Sequence, residues 1–386
     1  MTSNRRDVGQ KRDIPLFYVV DWLPPDFGAV GQYGRLFARE IAQAGRRVYL
    51  IGLTSGVGGK TRECFGPGAF LETTKIENSG YQKTRNLKRL LWTIRTNLRL
   101  MREVLTHRDA QNAELLFTGS PPFMLYFAFL ARILRRTRLT YRITDFFPEV
   151  IIASSGKRSV PLSIIQQMTW LFRRQVDTFE VLGEDQRRLL LQGGIPPERI
   201  RLKRDVSPVA VVGSEIAAPR PELPTGYPVL LYSGNYGVAH EVDTVIEGFV
   251  RHYRLTGPRI ALWLNGTGAK ADQVEASLRS SGIAIARTMP APLEQLPSIL
   301  AAADAHLITL RSEFAGIVLP SKVYSCIASG RPVLFVGPKE SDVHLLCSCA
   351  PDLIYEQVDP GDADGFAAAL ERIAQRQLAP IATRAV

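Results

Sequence analysis

Short apolar runs alternate with longer stretches of three-to-four-residue periodicity along this 386-residue chain. Residues 15–21 (Pro-Leu-Phe-Tyr-Val-Val-Asp) read as a buried strand, and the Pro/Gly loop at 23–31 opens a helix from Tyr33 to Ala44. Further strands are expected at Arg47–Leu53, Leu115–Thr118, Leu139–Ile143 and Phe179–Leu182, with helical stretches between them. A second series follows at Val229–Tyr232, Ile260–Leu264, Ala305–Thr309 and Val333–Val336. Residues 207–226 hold Pro208, Pro219, Pro221 and Pro224 without periodicity and read as a linker. Such alternation is the signature of doubly wound parallel sheets, so the fold class expected is α/β. The domains are placed at 1–208 and 227–386 with a linker at 209–226, the last helix being a candidate to pack back on the first domain. No internal repeat or low-complexity tract interrupts the pattern.

One helical stretch stands out. From Tyr81 to Arg108, Leu87, Leu90, Leu91, Ile94, Leu98, Met101, Val104 and Leu105 recur at helical spacing. Lys83, Arg85, Lys88, Arg89, Arg95, Arg99 and Arg102 surround them, and Trp92 lies within. A basic amphipathic helix suits an anionic membrane interface; the plainer alternative is a surface helix whose apolar stripe is core. Charge sharpens the contrast. Residues 1–208 hold 34 Lys+Arg against 19 Asp+Glu, whereas residues 209–386 hold 14 against 18, within a net charge of +11. The N-terminal half therefore faces something anionic: a membrane surface, a pyrophosphate-linked lipid or nucleic acid. Arg132, Arg135, Arg136 and Arg138 add a second basic cluster. No nucleic-acid recognition motif accompanies the charge, so nucleic acid is not expected as a partner.

Composition excludes several classes. The N-terminus, Met1 to Asp13, is polar, which argues against a secretory signal. The longest apolar run, Pro121 to Leu134, carries Arg132 and falls short of the roughly 20 residues that span a bilayer. Cys64, Cys326, Cys347 and Cys349 lack paired CxxC spacing and read as free thiols in a reducing cytoplasm. Ser55-Gly56-Val57-Gly58-Gly59-Lys60-Thr61 imitates a P-loop, but Thr54 stands where Gly is needed, and Gly66, Pro67 and Gly68 leave no room for a helix. Asp362-Ala363-Asp364 sits in a turn where Asp is a routine helix cap, so no metal site is expected. His240 is a lone histidine, more often structural than catalytic.

The chemistry concentrates at Leu319-Pro320-Ser321-Lys322-Val323-Tyr324-Ser325-Cys326-Ile327-Ala328-Ser329-Gly330-Arg331-Pro332-Val333-Leu334. Pro320 fits a helix start, Ser321 a cap and Gly330 the stop before an apolar strand. A helix start carrying Ser and Lys converges free N–H groups and positive charge on an anion. Leu231-Tyr232-Ser233-Gly234-Asn235-Tyr236-Gly237-Val238-Ala239-His240 offers a second strand–turn–helix of that kind, and Asn265-Gly266-Thr267-Gly268 is a third loop at the same sheet edge.

The 319–334 segment resembles the nucleotide-diphosphate turn of GT-B glycosyltransferases, especially the Pro-Ser-Lys branch near glycosyltransferase family 4. The resemblance implies two Rossmann-like domains whose parallel sheets face a cleft. It implies that Lys322 pairs with the donor phosphates, that Gly234, Asn235 and Ser321 supply hydrogen-bond donors, that Tyr236 lies against the base, and that Gly266 is beside the nucleotide. The family carries two Glu residues eight positions apart; they fall here at Ile317 and Ser325, so the ribose carboxylate is missing at Ser325 and retention of configuration is not implied. Leu139-Thr140-Tyr141-Arg142-Ile143-Thr144-Asp145-Phe146-Phe147-Pro148-Glu149 resembles the Tyr-Arg-x-x-Asp stretch of xanthan-type glucuronosyltransferases, in which the Asp is the base. An inverting transfer needs such a base for the acceptor hydroxyl, with Glu149 as substitute; the alternative is that Asp145 is a loop cap or partners Arg142. Gly28 and Gly31 resemble the acceptor loop.

The expectation is a metal-independent enzyme moving a sugar, UDP-linked by preference, to a polyprenyl-diphosphate-linked glycan during exopolysaccharide or surface polysaccharide assembly. It would sit peripherally on the inner face of the cytoplasmic membrane, with Lys88, Arg89, Trp92, Arg95, Arg99 and Arg102 toward the lipid. A nucleotide-sugar epimerase of the same fold and a non-enzymatic basic nucleotide- or nucleic-acid-binding protein are the alternatives.

Overall fold

A computed structural model describes residues 14–26, 29–78, 86–156, 159–207, 209, 217–257 and 259–378. The chain divides into two units, Met1–Arg204 and Asp205–Val386.

The first unit is built on an eight-stranded sheet. Its elements run β1 (Leu16–Trp22), α1 (Ala29–Gln43), β2 (Arg47–Thr54), β3 (Gly59–Gly66), β4 (Ala69–Glu77), α2 (Asn86–Thr106), β5 (Glu114–Thr118), α3 (Met124–Arg135), β6 (Arg138–Ile143), α4 (Glu149–Ser155), α5 (Val160–Arg173), β7 (Thr178–Val181), α6 (Glu184–Gln192) and β8 (Ile200–Leu202). The strand order is β3-β4-β2-β1-β5-β6-β7-β8, parallel except for β3 against β4. β1 and β2 are buried on both faces, which is why they are continuous apolar runs. The β3–β4 hairpin was not expected. Most of β3 is exposed, so its polar residues give no apolar alternation. Lys60, the lysine of the P-loop imitation, lies in this strand and pairs with Glu103 at 3.1 Å.

Right-handed crossovers put α1 on one face of the sheet and α2, α3 and α5 on the other, because the chain moves in opposite directions along the sheet through them. The Arg135 guanidinium donates to the Leu105 carbonyl, tying α3 to α2. Tyr126 and Thr169 share a hydrogen bond of 2.7 Å between α3 and α5.

The second unit holds a six-stranded parallel sheet, order β11-β10-β9-β12-β13-β14. Its elements run β9 (Val229–Ser233), α7 (Asp243–Thr256), β10 (Ala261–Asn265), α8 (Ala269–Ser280), β11 (Ile285–Thr288), α9 (Leu296–Ala302), β12 (Ala305–Thr309), α10 (Lys322–Ala328), β13 (Val333–Val336), α11 (Asp342–Ser348), β14 (Tyr355–Val358) and α12 (Ala363–Leu378). Leu230, Leu262, Leu264, Leu307 and Leu334 join Val245, Phe249 and Phe366 in one core beneath α7 and α12. A Cβ on Gly248 would come within 2.4 Å of the Phe366 ring. The last helix thus packs on α7 of its own unit. Part of the expected linker also belongs here: Ala218 N–H donates to the Ser298 carbonyl, and Arg220 pairs with Asp304 at 2.9 Å. Among the described residues no helix is long and apolar enough to cross a membrane.

Candidate active site

In the second unit, β9, β10 and β12 deliver their loops to one sheet edge. The first two loops are sewn together by backbone. Gly234 N–H donates to the Asn265 carbonyl at 2.9 Å, Tyr236 N–H to Thr267 at 2.7 Å, and Lys270 N–H to Tyr236 at 3.1 Å. Glycine is obligatory at this seam. Gly234 has φ +127°, and a Cβ on Gly266 would lie 1.9 Å from the Gly234 carbonyl oxygen.

Lys322 reaches this seam from the start of α10. Its Nζ is buried 3.2 Å from the centre of the Tyr232 ring, and a Cβ added to Gly234 would lie 3.8 Å from it. Among the described residues Nζ finds no hydrogen-bond partner. Desolvation drives its pKa well below the ordinary 10.5, only partly opposed by Cys326. The aromatic face supplies part of what the ammonium loses on leaving water; an anion would supply the rest. His240 lies against the same ring, its centroid 5.5 Å from Tyr232, with Nδ1 2.8 Å from the Thr309 carbonyl. Burial, then the neighbouring Lys322 charge, lowers its pKa to about 3. It is therefore neutral, and an Nδ1–H tautomer satisfies the carbonyl. Tyr232 was missed as a site residue in the sequence, whereas His240 was noted there and read as a structural histidine.

Several expectations need correction. Tyr236 is 1% exposed, with its ring 4.0 Å from that of Tyr232, so it is core and unavailable to stack on a base. Ser321 makes no side-chain cap bond, its backbone already being helical. Ser325 is buried, with Oγ 3.2 Å from Ser207 Oγ, and offers the ribose no carboxylate. Asn235 is exposed on the turn; its carbonyl accepts from the Tyr232 hydroxyl at 3.0 Å. Asp362 caps the backbone of Gly365, and Asp364 pairs with Arg251 at 2.6 Å. Beside His240 opens a polar cavity of about 320 Å³, walled by Lys270, Arg311, Glu241 and Glu313 among others, at the small end for ligand sites. Lys322 is not in its wall.

In the first unit, two carboxylates lie at the ends of apolar strands one strand apart. Asp145 follows β6 and Asp21 belongs to the end of β1, with β5 between those strands. Ser120 Oγ donates to Asp21 Oδ2 at 2.8 Å; Oδ1 is buried and finds no partner among the described residues. Burial raises the Asp21 pKa against that hydrogen bond. Desolvation by the surrounding chain, then the Asp21 carboxylate, pushes Asp145 up to about 6. Asp145 nonetheless keeps an exposed surface, and that exposure screens it. The direction of the shift is what the chemistry uses. Asp21 was legible as an acid ending an apolar run, the same signal that singled out Asp145.

Arg142 bonds Glu180 at 2.9 Å. Glu149 cannot substitute as base: it is buried, with both oxygens held by Arg173 at 2.7 and 2.8 Å. Gly28 lies outside the described residues. Gly31 is a packing glycine, since its Cβ would strike the Trp22 carbonyl. On α2, Trp92 is half-buried against Trp22, 6.5 Å between ring centres, and Arg99 donates to Asn78 at 3.3 Å. Neither belongs to the outward face. Lys88, Arg89, Arg95 and Arg102 are exposed.

No protein-family profile matches the sequence. The chain is 23% identical over 340 residues to WbjE of Pseudomonas aeruginosa, which carries the name of a glycosyltransferase, covering 85% of this chain and 82% of that one. It is 23% identical over 219 residues to WcaI of Escherichia coli K12, named for colanic acid biosynthesis glycosyl transfer, covering 54% of this chain and 53% of that one. Sucrose-phosphate synthase from Thermosynechococcus elongatus superposes with a TM-score of 0.65 at 13% identity, over 93% of this chain and 89% of that one. HepE of Anabaena, solved with UDP and glucose, gives 0.60 at 11% identity, over 95% and 94%. The two sheets thus have the GT-B glycosyltransferase fold, and glycosyltransferases are among the sequence relatives of this chain.

Proposed function

We propose that this protein moves a sugar from a UDP-sugar to a lipid-linked oligosaccharide in surface or exopolysaccharide assembly. The observation that carries the reading is the buried, unpartnered Lys322 ammonium at a glycine seam on the sheet edge. A diphosphate supplies the missing partner, and its charge is largest when the sugar–phosphate bond has broken, so the contact strengthens toward the transition state. The fixed cation takes the role a metal would have in neutralising the leaving group, and the reaction is proposed to be metal-independent.

Asp145 is the proposed base. It takes the proton of the acceptor hydroxyl as that oxygen bonds to the anomeric carbon, while the carbon–oxygen bond to the diphosphate breaks and UDP departs. A pKa raised toward 6 makes it a better proton acceptor than an ordinary carboxylate while leaving it ionised at pH 7. Attack opposite the leaving group inverts the anomeric centre; the residues at Ile317 and Ser325 are not acidic. WbjE and WcaI, named for glycosyl transfer, support the reaction class, and HepE with UDP and glucose supports the donor class.

Calorimetric titration with UDP, UMP and uridine tests the reading. Binding should strengthen from UMP to UDP and lose that gain in Lys322→Met; equal affinity for all three refutes the diphosphate site. The Asp21–Asp145 pair also suits a nucleotide-sugar epimerase, which needs two acid–base groups. An epimerase would convert a UDP-sugar with no acceptor present, whereas the transferase requires one.

A further inference from the structure

Three neighbouring helices of the first unit present apolar side chains to solvent. On α5, Val160, Ile164, Met168 and Leu171 recur at three- and four-residue spacing and form an outward stripe; Val160 is 74% and Leu171 59% exposed. On α3, Leu130, Ile133 and Leu134 share the outward face. On α2 the outward positions are Lys88, Leu91, Arg95, Leu98 and Arg102, so Leu and cations alternate along one face. α3 packs against both other helices through the Arg135–Leu105 and Tyr126–Thr169 bonds. The three adjacent helices thus expose apolar side chains on α3 and α5 beside the mixed Leu and cation face of α2. Monomeric surfaces rarely carry this many large apolar groups together, and such a field marks an interaction site.

Charge selects the occupant. Across the three helices the only acidic residue is Glu103, whereas Lys88, Arg89, Arg95 and Arg102 are exposed along α2. Arg136 and Arg174, at the ends of α3 and α5, are exposed as well. A protein partner burying this field would need a matching apolar face rimmed with acid. An anionic bilayer provides both at once: headgroup charge for the cations, and an acyl boundary for the apolar side chains.

We infer that the outer face of α3 and α5 inserts shallowly into an anionic lipid bilayer, with the basic edge of α2 lying on the headgroups. The inference rests on the lipid-linked acceptor proposed above and gives that substrate its route: the acceptor is met in the membrane plane. It also shifts the inserted surface from the basic helix singled out in the sequence to the exposed apolar positions of α3 and α5.

Vesicle co-sedimentation, without nucleotide or acceptor, tests the inference independently of catalysis. Phosphatidylglycerol–phosphatidylcholine vesicles should bind the protein, and pure phosphatidylcholine should bind it at least tenfold more weakly. Ile164→Ser with Leu171→Ser, and separately Ile133→Ser with Leu134→Ser, should each lower partitioning tenfold or more, with UDP-induced thermal stabilisation unchanged. Arg95→Glu with Arg102→Glu should abolish the preference for anionic vesicles. Unaltered binding in the serine variants overturns the inference. So does a stable dimer by light scattering that the serine variants split without changing vesicle binding, since the face would then be a subunit contact. Failure of UDP to stabilise any variant or the wild type would instead refute the donor reading and leave the vesicle result standing.

Discussion

Replacing Lys322 by Met separates what the residue does for the fold from what it does for the ligand. In the folded chain the ammonium lies on the Tyr232 ring with no hydrogen-bond partner among the described residues. A cation–π contact contributes about 0.5–2 kcal/mol, whereas burying a charge without a partner costs several kcal/mol before its pKa relaxes. Met keeps the stem and removes the charge. The ligand-free variant should therefore melt at or above the wild-type temperature at pH 7. UDP affinity should fall by about 1.5–3 kcal/mol, the loss of a charged hydrogen bond, or roughly 10- to 150-fold. The pH dependence carries a sign. Because the folded-state pKa lies below 10.5, the unfolded chain binds a proton that the native chain sheds. Wild-type stability should then rise with pH across the window between the depressed value and 10.5, and this component should vanish in Lys322→Met. Calorimetric melts at several pH values and UDP titrations read both effects. A ligand-free variant that loses several degrees, or an unchanged UDP affinity, would refute the argument.

Asp145→Asn should cut turnover by about 10²–10⁴-fold, the usual worth of a general base, with UDP affinity unchanged by titration. The wild-type rate should fall with acid at a pH above the ordinary carboxylate range, where Asp145 takes up its proton, and Asp21→Asn should move that limb to lower pH by removing the repelling carboxylate; a limb that stays in place disproves the coupling. Glu149→Ala leaves the Arg173 guanidinium buried without its carboxylate, and the cost in urea unfolding should be about 3–5 kcal/mol, as for other broken buried pairs. Gly266→Ala should abolish UDP binding by forcing the 234 and 266 loops apart, since the added carbon would overlap the Gly234 carbonyl oxygen.

Nine strands were legible because buried parallel strands are written as continuous apolar runs, and the chain has them where β1, β2 and β9 lie. β3 and β4 were not, since β3 is mostly exposed and its polar residues follow no period. Lys322 and Gly234 were visible as local motifs, whereas partners far apart in sequence were not. Glu149 looked available until Arg173, 24 residues on, proved to hold it. Tyr236 looked like a loop aromatic, but the turn folds it back onto Tyr232. Helical periodicity placed Leu91 and Leu98 on one apolar stripe with Met101 and Val104, read either as a membrane face or as core. The stripe divides: Met101 and Val104 are buried with Leu100, whereas Leu91 and Leu98 are exposed. The buried positions beside them are Thr93, Thr96 and Asn97, the Asn97 amide N–H groups donating to the Thr93 and Pro122 carbonyls. Apolar spacing cannot report those buried positions of α2 that are occupied by polar side chains.

The β3–β4 hairpin has a consequence for how copies of this chain can meet. An open sheet ends in unpaired backbone, a template for adding strands from another molecule. Here one end is β3, whose Lys60, Arg62 and Glu63 pair with Glu103, Glu72 and Arg39. The other end is β8, only three residues long, with Arg201 exposed. Charged side chains guard one border and brevity limits the other, so strand-to-strand growth is disfavoured at both ends of the first sheet. The apolar helices can therefore stay uncovered in water without a neighbouring border through which aggregates would propagate as sheets.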